Sequence, residues 1–580
     1  MQKKKISILL ILLIFFNLSN HQIAHQPEFL QQNTQQAEQL LNIMTLEEKI
    51  GQLFIASAVS DVERNKDFIQ RKGYRLDPDY IQELIKKYKI GGVIFLGMGN
   101  SKDQVTLTQQ FQNTSKIPLL ICQDLEWGLS MRLDDALRFP RNMTLGALHN
   151  NNLIYQLGYE IGRQCTEIGV HCNFAPVVDV NNNPKNPVIS DRSFGENKEK
   201  VAVKADYLYK GLHDAGVLSC IKHFPGHGDT DIDSHYALPY IPHDTQRLDT
   251  IELYPFKQLI NAGVPAFMIA HLAVPALEHN PDLPTTLSHA VVTELLQKKL
   301  HFKGLTITDA LDMKALSGMP AEIAVQAFKA GNDLLVCSKD IPAAIAHIQQ
   351  QIEQNKISLD ELNRRVLKIL LAKQWAQQKT RNPLTTDQLD KRLHTPEAQQ
   401  LKQALYTQSI TCVKNCMNLS RIKKNAYIQI GGEEKKVTIN QLGQDIEKIV
   451  PAQSTFKNFI KKQLQCPTYQ LSNNPSKYEC TKLVKKLNDI DTVIVALFDM
   501  NKFATKGYGL AENTLQLLKT IKTVNKKIII TLFGSPYSLT VFDDIDGIIM
   551  AYEDDNDAQQ AAAEVVLGQR KASGSLPVNA

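Results

Sequence analysis

The feature that most constrains the fold of this 580-residue chain is an alternation of short apolar runs with amphipathic stretches. Continuous apolar strands separated by helices are typical of a parallel sheet covered on both faces. About eight such units over about 300 residues predict a (β/α)8 barrel of the TIM type. The alternative is a doubly wound open sheet, but no G-x-G-x-x-G fingerprint opens the chain. The strand-like runs are GQLFIA (51–56), GGVIFLG (91–97), PLLICQDLE (118–126), VHCNFAPVVDV (170–180), VLSCIKHFP (217–225), AFMIAH (266–271), GLTITDAL (304–311) and NDLLVCS (332–338).

A second, smaller α/β pattern follows these units. Segment 376–400 is polar and is interpreted as a linker or connecting helix. We expect the barrel domain to occupy residues 39–375 and an α/β sandwich domain to occupy residues 401–580. The apolar runs of the second domain are AYIQIGG (426–432), DTVIVALFD (491–499), KIIITLFGSP (527–536) and GIIMAYE (547–553).

The N-terminus has the pattern of a secretory signal. Three lysines at 3–5 precede an apolar run at 6–16, which is too short to span a bilayer comfortably. We expect residues 1–24 to be a signal peptide and residues 25–38 to be a polar, flexible leader. The mature chain is then exported, periplasmic or secreted, with no membrane span. An uncleaved N-terminal anchor is the alternative.

The charge of the chain gives no sign of a nucleic-acid partner. Its formal net charge of +5 falls to +2 once the three N-terminal lysines are removed. This balance gives no reason to expect nucleic acid or an anionic membrane surface as a partner. A hydrophobic content of 43% and a charged content of 22% fit a globular protein rather than a disordered one.

The nine cysteines do not form the pattern of a disulfide framework, because they are scattered and odd in number. Cys412 with Cys416, and Cys466 with Cys480, could pair in an oxidising compartment. The sequence leaves this pairing open.

Polar side chains follow several of the predicted barrel strands. In a barrel of this type, active groups lie at the carboxyl ends of the strands. Because these polar residues occur where this type of barrel has its active groups, we predict an active site at the carboxyl end of the barrel. The residues concerned are Asp124, Glu126, Asp179, Lys222, His223, His271 and Asp309.

The loop KHFPGHGDTDIDSH (222–235) is rich in titratable groups. His223 and His227 have the spacing of two zinc ligands on one helix face. Pro225, Gly226 and Gly228 break such a helix, so a zinc site is weakly supported.

A calcium loop is weakly supported as well. Asp229, Asp231 and Asp233 match its start, but Ser234 and Tyr240 stand where it needs Gly and Glu. A solvated structural loop remains possible.

Asp309 follows an apolar strand directly. A carboxylate there can act as a nucleophile toward an anomeric carbon. Alternatively, it caps a helix that follows the strand. Asp312, three residues further on, is expected to face solvent.

Four segments resemble glycoside hydrolase family 3, in its β-N-acetylglucosaminidase branch. They are KHFPGHG (222–228) with a trailing D-x-H (233–235), GLTITDALDM (304–313), DRSFG (191–195) and QDLEWGLSMRL (123–133). They occur in the family's order. The resemblance is strong over about residues 40–375 and weaker beyond 400.

The resemblance implies two catalytic groups. Asp309 stands where the family has its nucleophile, and His235 stands where this branch has its general acid/base. Asp233 stands where a carboxylate pairs with that histidine, and Ser234 is a spacer between them. A histidine with an ordinary pKa of about 6.5 can donate a proton to the leaving oxygen and later accept one from water.

The resemblance also implies a set of sugar-binding residues. They are Asp124, Arg132, Arg192, Lys222 and His223. Charged groups of this kind recognise hydroxyls through strong hydrogen bonds. If they were not part of these motifs, Arg132 and Arg192 would each be expected to form only an ordinary surface ion pair.

One position departs from the family pattern. In the segment QDLEWGLSMRL (123–133), many relatives have two glycines after the glutamate, whereas this chain has Trp127 and Gly128 after Glu126. Trp127 could stack on a sugar or pack beneath the loop. This departure bears on fine substrate preference and not on the reaction class.

Together with the residues above, the resemblance implies a retaining exo-β-N-acetylglucosaminidase that acts through a covalent glycosyl-enzyme intermediate. The substrate it implies is a small oligosaccharide or glycan with terminal β-linked N-acetylglucosamine, from peptidoglycan fragments or related glycans. No metal or organic cofactor is expected. The oligomeric state stays open.

Two alternatives remain. One is a β-glucosidase or β-xylosidase of the same family. In the β-glucosidase branch a second-domain glutamate supplies the acid, and Glu433, Glu434 and Glu553 are present here without a distinguishing motif. The other is a catalytically inactive glycan-binding protein.

Overall fold

The structure of the chain is a computed structural model. The structure describes residues 25–233, 237–379, 384–415, 424–439, 445–451, 454–524, 526–542 and 544–579. Among these residues, no helix is both long and apolar enough to cross a membrane.

The first domain is a barrel of eight parallel strands. The strands follow one another in the order β7-β6-β5-β4-β3-β2-β1-β8, and a parallel bridge between Ile307 and Leu334 joins the two ends of the sheet. The predicted (β/α)8 fold is therefore confirmed. The strands are β1 Phe54–Val59, β2 Gly92–Leu96, β3 Leu120–Gln123, β4 Cys172–Asn173, β5 Leu218–Phe224, β6 Ala266–Ile269, β7 Leu305–Thr308 and β8 Leu335–Val336.

Helices surround the barrel and bury one apolar face against it. Asp77, for example, caps the helix Pro78–Tyr88 by accepting a hydrogen bond from the backbone N–H of Tyr80. A π-helix, Ala290–Lys299, lies between β6 and β7. The α-helices are α1 Gln35–Ile43, α2 Leu46–Gly51, α3 Lys66–Lys72, α4 Pro78–Tyr88, α5 Ser101–Thr114, α6 Asn142–Gly146, α7 Asn151–Glu167, α8 Lys198–Asp214, α9 Thr245–Thr250, α10 Tyr254–Asn261, α11 Pro320–Ala330, α12 Ile341–Glu353 and α13 Leu359–Lys379.

The second domain contains a six-stranded sheet with helices on both faces, which confirms the predicted α/β sandwich. Its strand order is β13-β10-β14-β15-β16-β9, and only β9 is antiparallel to its neighbour. The strands of this domain are β9 Thr411–Lys414, β10 Asn425–Ile430, the hairpin β11 Glu433–Ile439 and β12 Asp445–Pro451, then β13 Thr468–Leu471, β14 Thr492–Leu497, β15 Lys527–Leu532 and β16 Gly547–Met550. The helices that follow the barrel are α14 Leu389–Leu393 and α15 Pro396–Ser409, and then, within the second domain, α16 Thr455–Leu464, α17 Lys477–Lys486, α18 Glu512–Thr523 and α19 Asn556–Val566.

The segment expected to be a flexible leader carries regular structure where it is described, and the segment expected to be a linker or connecting helix contains a helix. In the leader, Phe29 is 1% exposed and packs into the barrel core. In the expected linker, 376–400, α14 buries Leu389 and Leu393. Their few apolar side chains lie on one side and dock on the barrel, which overall polarity does not reveal.

The C-terminal tail ties the second domain to the barrel. The backbone N–H of Glu196 donates to the carbonyl of Pro577 at 3.2 Å, and Ser575 donates to Ala147 at 3.0 Å. A Cβ at Gly195 would lie 2.3 Å from the carbonyl oxygen of Pro577. The glycine of the DRSFG motif is therefore required by this close approach and by its φ of +134°.

One of the two candidate disulfides is not formed. Cys466 and Cys480 are free thiols. For the other pair, Cys416 lies outside the described residues.

Candidate active site

Lys222 lies at the centre of a charged cluster at the carboxyl end of the barrel. Its Nζ is 2.7 Å from Oδ1 of Asp124 and 2.8 Å from Oε1 of Glu126. Both carboxylates follow β3, whereas Lys222 is part of β5. Burial lowers the pKa of Lys222, but the two carboxylates outweigh this effect and raise it. The ammonium therefore stays charged inside the barrel mouth.

Two arginines extend this cluster. Arg132 donates to Oδ2 of Asp124 at 3.1 Å. Arg192 makes a two-pronged contact with Glu126, with Nε and Nη2 donating at 3.0 and 2.7 Å. Burial raises the pKa of Glu126, but Arg192 and Lys222 more than compensate and hold it well below its ordinary value. These are partly buried pairs, not ordinary surface ion pairs.

Asp179 holds the histidine loop in place. Its Oδ2 is 2.7 Å from Nδ1 of His223, and its Oδ1 accepts from the backbone N–H of His227 at 2.7 Å. The Nδ1 of His227 is 2.8 Å from the hydroxyl of Thr230. Burial lowers the pKa of His227 to about 4, so this ring is neutral at physiological pH. Asp179 therefore holds both residues, while the Nδ1 atoms of the two rings have different partners.

Asp309 lies directly after β7 and is half-buried. Burial acts to raise the pKa of its carboxyl, but His271, His223, Lys222 and the backbone N–H of Ala310 outweigh burial and lower the pKa to about 2. The N–H of Ala310 donates to Oδ1 of Asp309 at 2.7 Å. The group is therefore a carboxylate at any physiological pH.

Helix capping does not explain Asp309. The next α-helix, α11, begins at Pro320, and residues 309–319 form turns. His271, which follows β6, is 2.7 Å from the hydroxyl of Thr286 through Nδ1 and 3.0 Å from the carbonyl of Ala310 through Nε2. This histidine fixes the backbone that presents Asp309.

The expectation that Asp312 faces solvent is wrong. Its side chain is 1% exposed and pairs with Nζ of Lys72 at 2.5 Å. The hydroxyl of Tyr74 donates to the same carboxylate at 3.0 Å. The segment after β1 folds over the barrel mouth and supplies both partners, so a charged residue at this position is buried and paired.

The predicted acid/base pair is only partly described. Asp233 is half-buried on the loop after β5, and its carbonyl accepts from the N–H of Ala237 at 3.2 Å. His235 and Ser234 lie outside the described residues. The structure therefore brings together Asp309 and all five predicted sugar-binding residues, and it leaves the role of His235 as a prediction.

A charged network anchors the start of the same loop. Oδ2 of Asp229 is 2.8 Å from Nε2 of His243, and Arg247 donates to Oε1 of Glu252 at 3.1 Å. Asp229, His243 and Glu252 are close enough to share a cation. The guanidinium of Arg247 already supplies positive charge there, so the network is best understood as a tether of the loop.

Trp127 is half-buried and contacts an arginine of the barrel. The guanidinium of Arg141 lies over its ring at 4.4 Å from the centroid. This contact is a cation–π interaction, which fixes the tryptophan beside Glu126.

Three residues of the site were not assigned sugar-site roles from the sequence. Glu126, Asp179 and His271 were noted only as polar residues at strand ends. Their position in the sequence was the signal that could have placed them in the site, because the carboxyl ends of all strands of a parallel barrel face the same mouth. Which groups they would contact could not be inferred from that position.

Glu553, a candidate second-domain acid, contacts the barrel wall instead. Its carboxylate accepts from the guanidinium of Arg138 at 3.2 Å, the N–H of Arg141 at 2.8 Å and the hydroxyl of Thr144 at 2.6 Å. These contacts dock the second domain on the barrel. The side chains of Glu433 and Glu434 lie outside the described part of the structure.

Comparison with known proteins links this site to one family. The Glycosyl hydrolase family 3 N terminal domain matches residues 45–372, and the corresponding C-terminal domain matches residues 361–580. Beta-hexosaminidase A of Pseudoalteromonas piscicida is 30% identical over 568 residues, or 86% of this chain and 91% of that protein. A Cellulomonas fimi protein named beta-N-acetylglucosaminidase/beta-glucosidase is 27% identical over 337 residues, covering 56% of this chain and 57% of its own.

Solved structures agree on the two-domain architecture. A glycoside hydrolase family 3 beta-N-acetylglucosaminidase from Paenibacillus sp. str. FPU-7 has a TM-score of 0.74 at 30% identity and covers 92% of this chain and 99% of its own. A beta-glucoside phosphorylase has a TM-score of 0.77 at 21% identity, with 97% of both chains covered, and shares the fold.

Proposed function

This chain belongs to glycosyl hydrolase family 3 and is a glycoside hydrolase, and we propose that it is a retaining exo-β-N-acetylglucosaminidase. The observation that supports this proposal best is Asp309. It is an ionised carboxylate at the barrel mouth, beside a cluster of charged hydrogen-bonding groups. Such a cluster suits the hydroxyls of one sugar ring.

The proposed reaction has two displacements. The Asp309 carboxylate attacks the anomeric carbon while the bond to the leaving oxygen breaks, and His235 protonates that oxygen. Water then attacks the glycosyl-enzyme, gives a proton to His235 and releases the sugar, and the Asp309 carboxylate is regenerated. Asp233 would orient the histidine ring and stabilise its charged form.

The charged cluster around Lys222 would hold the sugar through hydrogen bonds to its hydroxyl groups. Lys222 and the two arginines can donate to hydroxyl oxygens, and Asp124 can accept from hydroxyl hydrogens. His223, fixed by Asp179, adds a ring nitrogen. Because these groups are already fixed by one another, little ordering is needed when substrate binds.

The proposed substrates are small glycans with terminal β-linked N-acetylglucosamine. Peptidoglycan fragments are one source and other N-acetylglucosamine-linked glycans are a second. We also propose that residues 1–24 direct the chain out of the cytoplasm. No metal or organic cofactor has a role in the proposed chemistry.

A β-glucosidase is the second candidate, because the Cellulomonas fimi relative is named for both activities. The test compares p-nitrophenyl β-N-acetylglucosaminide with p-nitrophenyl β-glucoside, and proton NMR follows the anomer first released. The proposal expects a higher kcat/KM for the N-acetylglucosaminide and release of the β-anomer. A preference for the glucoside would overturn the proposed substrate specificity, and release of the α-anomer would overturn the proposed retaining mechanism.

A further inference from the structure

Segment 190–195 of the barrel places Arg192 in the charged cluster around Lys222. Two of its other residues, Ser190 and Ser193, are buried. Ser190 has a backbone φ of +40°, although it is not a glycine. A residue in this region keeps its conformation only when its surroundings hold it there. The contacts that hold the segment therefore decide the point from which the Arg192 side chain extends.

A tyrosine of the second domain holds both ends of this segment through one asparagine of the barrel. The hydroxyl of Tyr537 donates to the backbone carbonyl of Asn181 at 2.6 Å and accepts from the side-chain Nδ2 of the same residue at 2.7 Å. Oδ1 of Asn181 accepts from the N–H of Ser190 at 3.0 Å, and its N–H donates to the carbonyl of Gly195 at 3.0 Å. Because Tyr537 and Asn181 are both buried, loss of the hydroxyl leaves polar groups without a partner.

A lysine of the second domain contacts the same segment beside Arg192. Nζ of Lys502 is 2.9 Å from Oδ1 of Asp191, the residue that precedes Arg192. The guanidinium of Arg141 donates to Oδ2 of the same carboxylate. Asp191 is therefore held by one cation from each domain.

The C-terminal tail contacts the residue that follows the segment. The N–H of Glu196 donates to the carbonyl of Pro577 at 3.2 Å, and Oε1 of Glu196 accepts from the N–H of Asn579 at 2.9 Å. The second domain therefore meets this part of the barrel at three places along the chain, through Tyr537, Lys502 and the tail.

The position of the segment affects two of the predicted sugar-binding residues. Arg192 meets Glu126 through two hydrogen bonds, of 3.0 and 2.7 Å, and a two-pronged contact of this kind requires a defined geometry. The hydroxyl of Ser193 donates to the carbonyl of Asp179 at 2.6 Å, and the Asp179 carboxylate holds His223. A shift of the segment would therefore move groups that are proposed to hold the sugar.

We propose that Tyr537 and Lys502 are positioning residues for sugar binding, which act from the second domain by holding segment 190–195. In this role they keep Arg192 aligned with Glu126 and need no contact with the substrate. The inference rests on the proposed function, in which Arg192 binds the terminal sugar. It gives the second domain a part in substrate binding that is separate from any transfer of protons.

The test measures KM and kcat of the full chain with p-nitrophenyl β-N-acetylglucosaminide. Tyr537→Phe should raise KM about fivefold or more, and Lys502→Met about threefold or more, because each loosens the segment that presents Arg192. The kcat of both variants should stay within about twofold of the wild type, since Arg192 is proposed to hold the sugar alike before and during the reaction.

Two matched controls remove similar contacts that stay within the second domain. Tyr552→Phe loses a hydroxyl that is 2.7 Å from the hydroxyl of Thr411. Lys522→Met loses an ion pair of 2.8 Å with Asp546. Both controls should keep the wild-type KM, even where thermal unfolding shows lower stability.

A double variant separates positioning from a general effect on stability. When Tyr537→Phe is added to Arg192→Ala, kcat/KM should fall by less than about twofold further, because the group being positioned is already absent. An undiminished effect of Tyr537→Phe in the Arg192→Ala background would overturn the inference. So would a wild-type KM in both Tyr537→Phe and Lys502→Met.

These outcomes differ from a failure of the proposed function. If the wild type prefers p-nitrophenyl β-glucoside, the proposed substrate is overturned, and the same variants are measured on the glucoside, where the same pattern of KM values is expected. If the wild type cleaves neither glycoside, the proposed function and the inference are overturned together.

Discussion

Asp309 and Asp312 lie three residues apart on the segment after β7, yet their carboxylates have different partners. Asp309 accepts from the N–H of Ala310 at 2.7 Å, and Asp312 accepts from Nζ of Lys72 at 2.5 Å. The first is an anion at the barrel mouth. The second forms an ion pair with the end of α3, so the two aspartates are expected to have separable effects.

Asp309→Ala should abolish turnover of p-nitrophenyl β-N-acetylglucosaminide, with a loss of about 10³-fold or more, because the nucleophile is gone. The unfolding free energy of Asp309→Ala should not fall by an amount that could account for this loss of activity. Asp312→Asn is the control and should stay within about tenfold of wild-type activity, while losing about 1–3 kcal/mol in urea denaturation as Lys72 loses its anion. Equal loss of activity in both variants would contradict the assignment.

His235→Ala should slow hydrolysis of a disaccharide by about 10²–10⁴-fold, because the leaving oxygen is no longer protonated. A dinitrophenyl glycoside should recover much of the glycosylation rate, since its leaving group needs no proton. Pre-steady-state release of dinitrophenol measures this step. Asp309→Ala should show no such recovery, and a similar loss on both substrates would argue against an acid/base role for His235.

Glu126→Gln should raise KM and lower kcat/KM by about 10²-fold, because Arg192 and Lys222 lose their shared counter-charge. Glu160→Gln is the control, since Glu160 makes a comparable two-pronged contact with Arg163 on α7. Glu160→Gln should change the thermal stability of the protein but leave kcat/KM unchanged. Steady-state kinetics and thermal unfolding of both variants make the comparison.

Glu553→Gln should leave the shape of the pH dependence of kcat unchanged, because Glu553 docks the domains and does not transfer protons. The variant should unfold at a lower temperature or in separate steps, since contacts to Arg138 and Thr144 weaken. Differential scanning calorimetry measures this effect. Loss of one limb of the pH profile would instead favour a second-domain acid of the β-glucosidase kind.

Lys373 should make stability depend on pH. It is buried on α13, donates to Oε1 of Gln52 at 2.5 Å, and burial lowers its pKa to about 7. Above pH 7 the unfolded chain therefore binds more protons than the native chain, so stability should rise with pH from about 7 to 10. Urea denaturation of Lys373→Met should show a shallower rise than wild type, whereas Lys356→Met, at an exposed position, should match the wild type.

The fold was predictable because its signal is local. Apolar runs such as 304–311 and 217–225 have the length and continuity of buried parallel strands, and their order fixes a barrel. The exception was the leader around Phe29, which was expected to be flexible, whereas the segment around Leu389 forms one of its two expected structures, a connecting helix. Their few apolar residues dock on the barrel, and composition alone does not show that.

The sequence by itself determined which chemical groups stand at the mouth of the barrel, because each follows a strand and all strands end on one side. Only the tertiary structure decided how they pair. Arg192 meets Glu126 across 66 positions and Lys72 meets Asp312 across 240, through loops whose paths depend on the packed whole. Burial and these long-range partners then set the protonation of each group, which is why a carboxylate such as Asp309 becomes a fixed anion only in the folded protein.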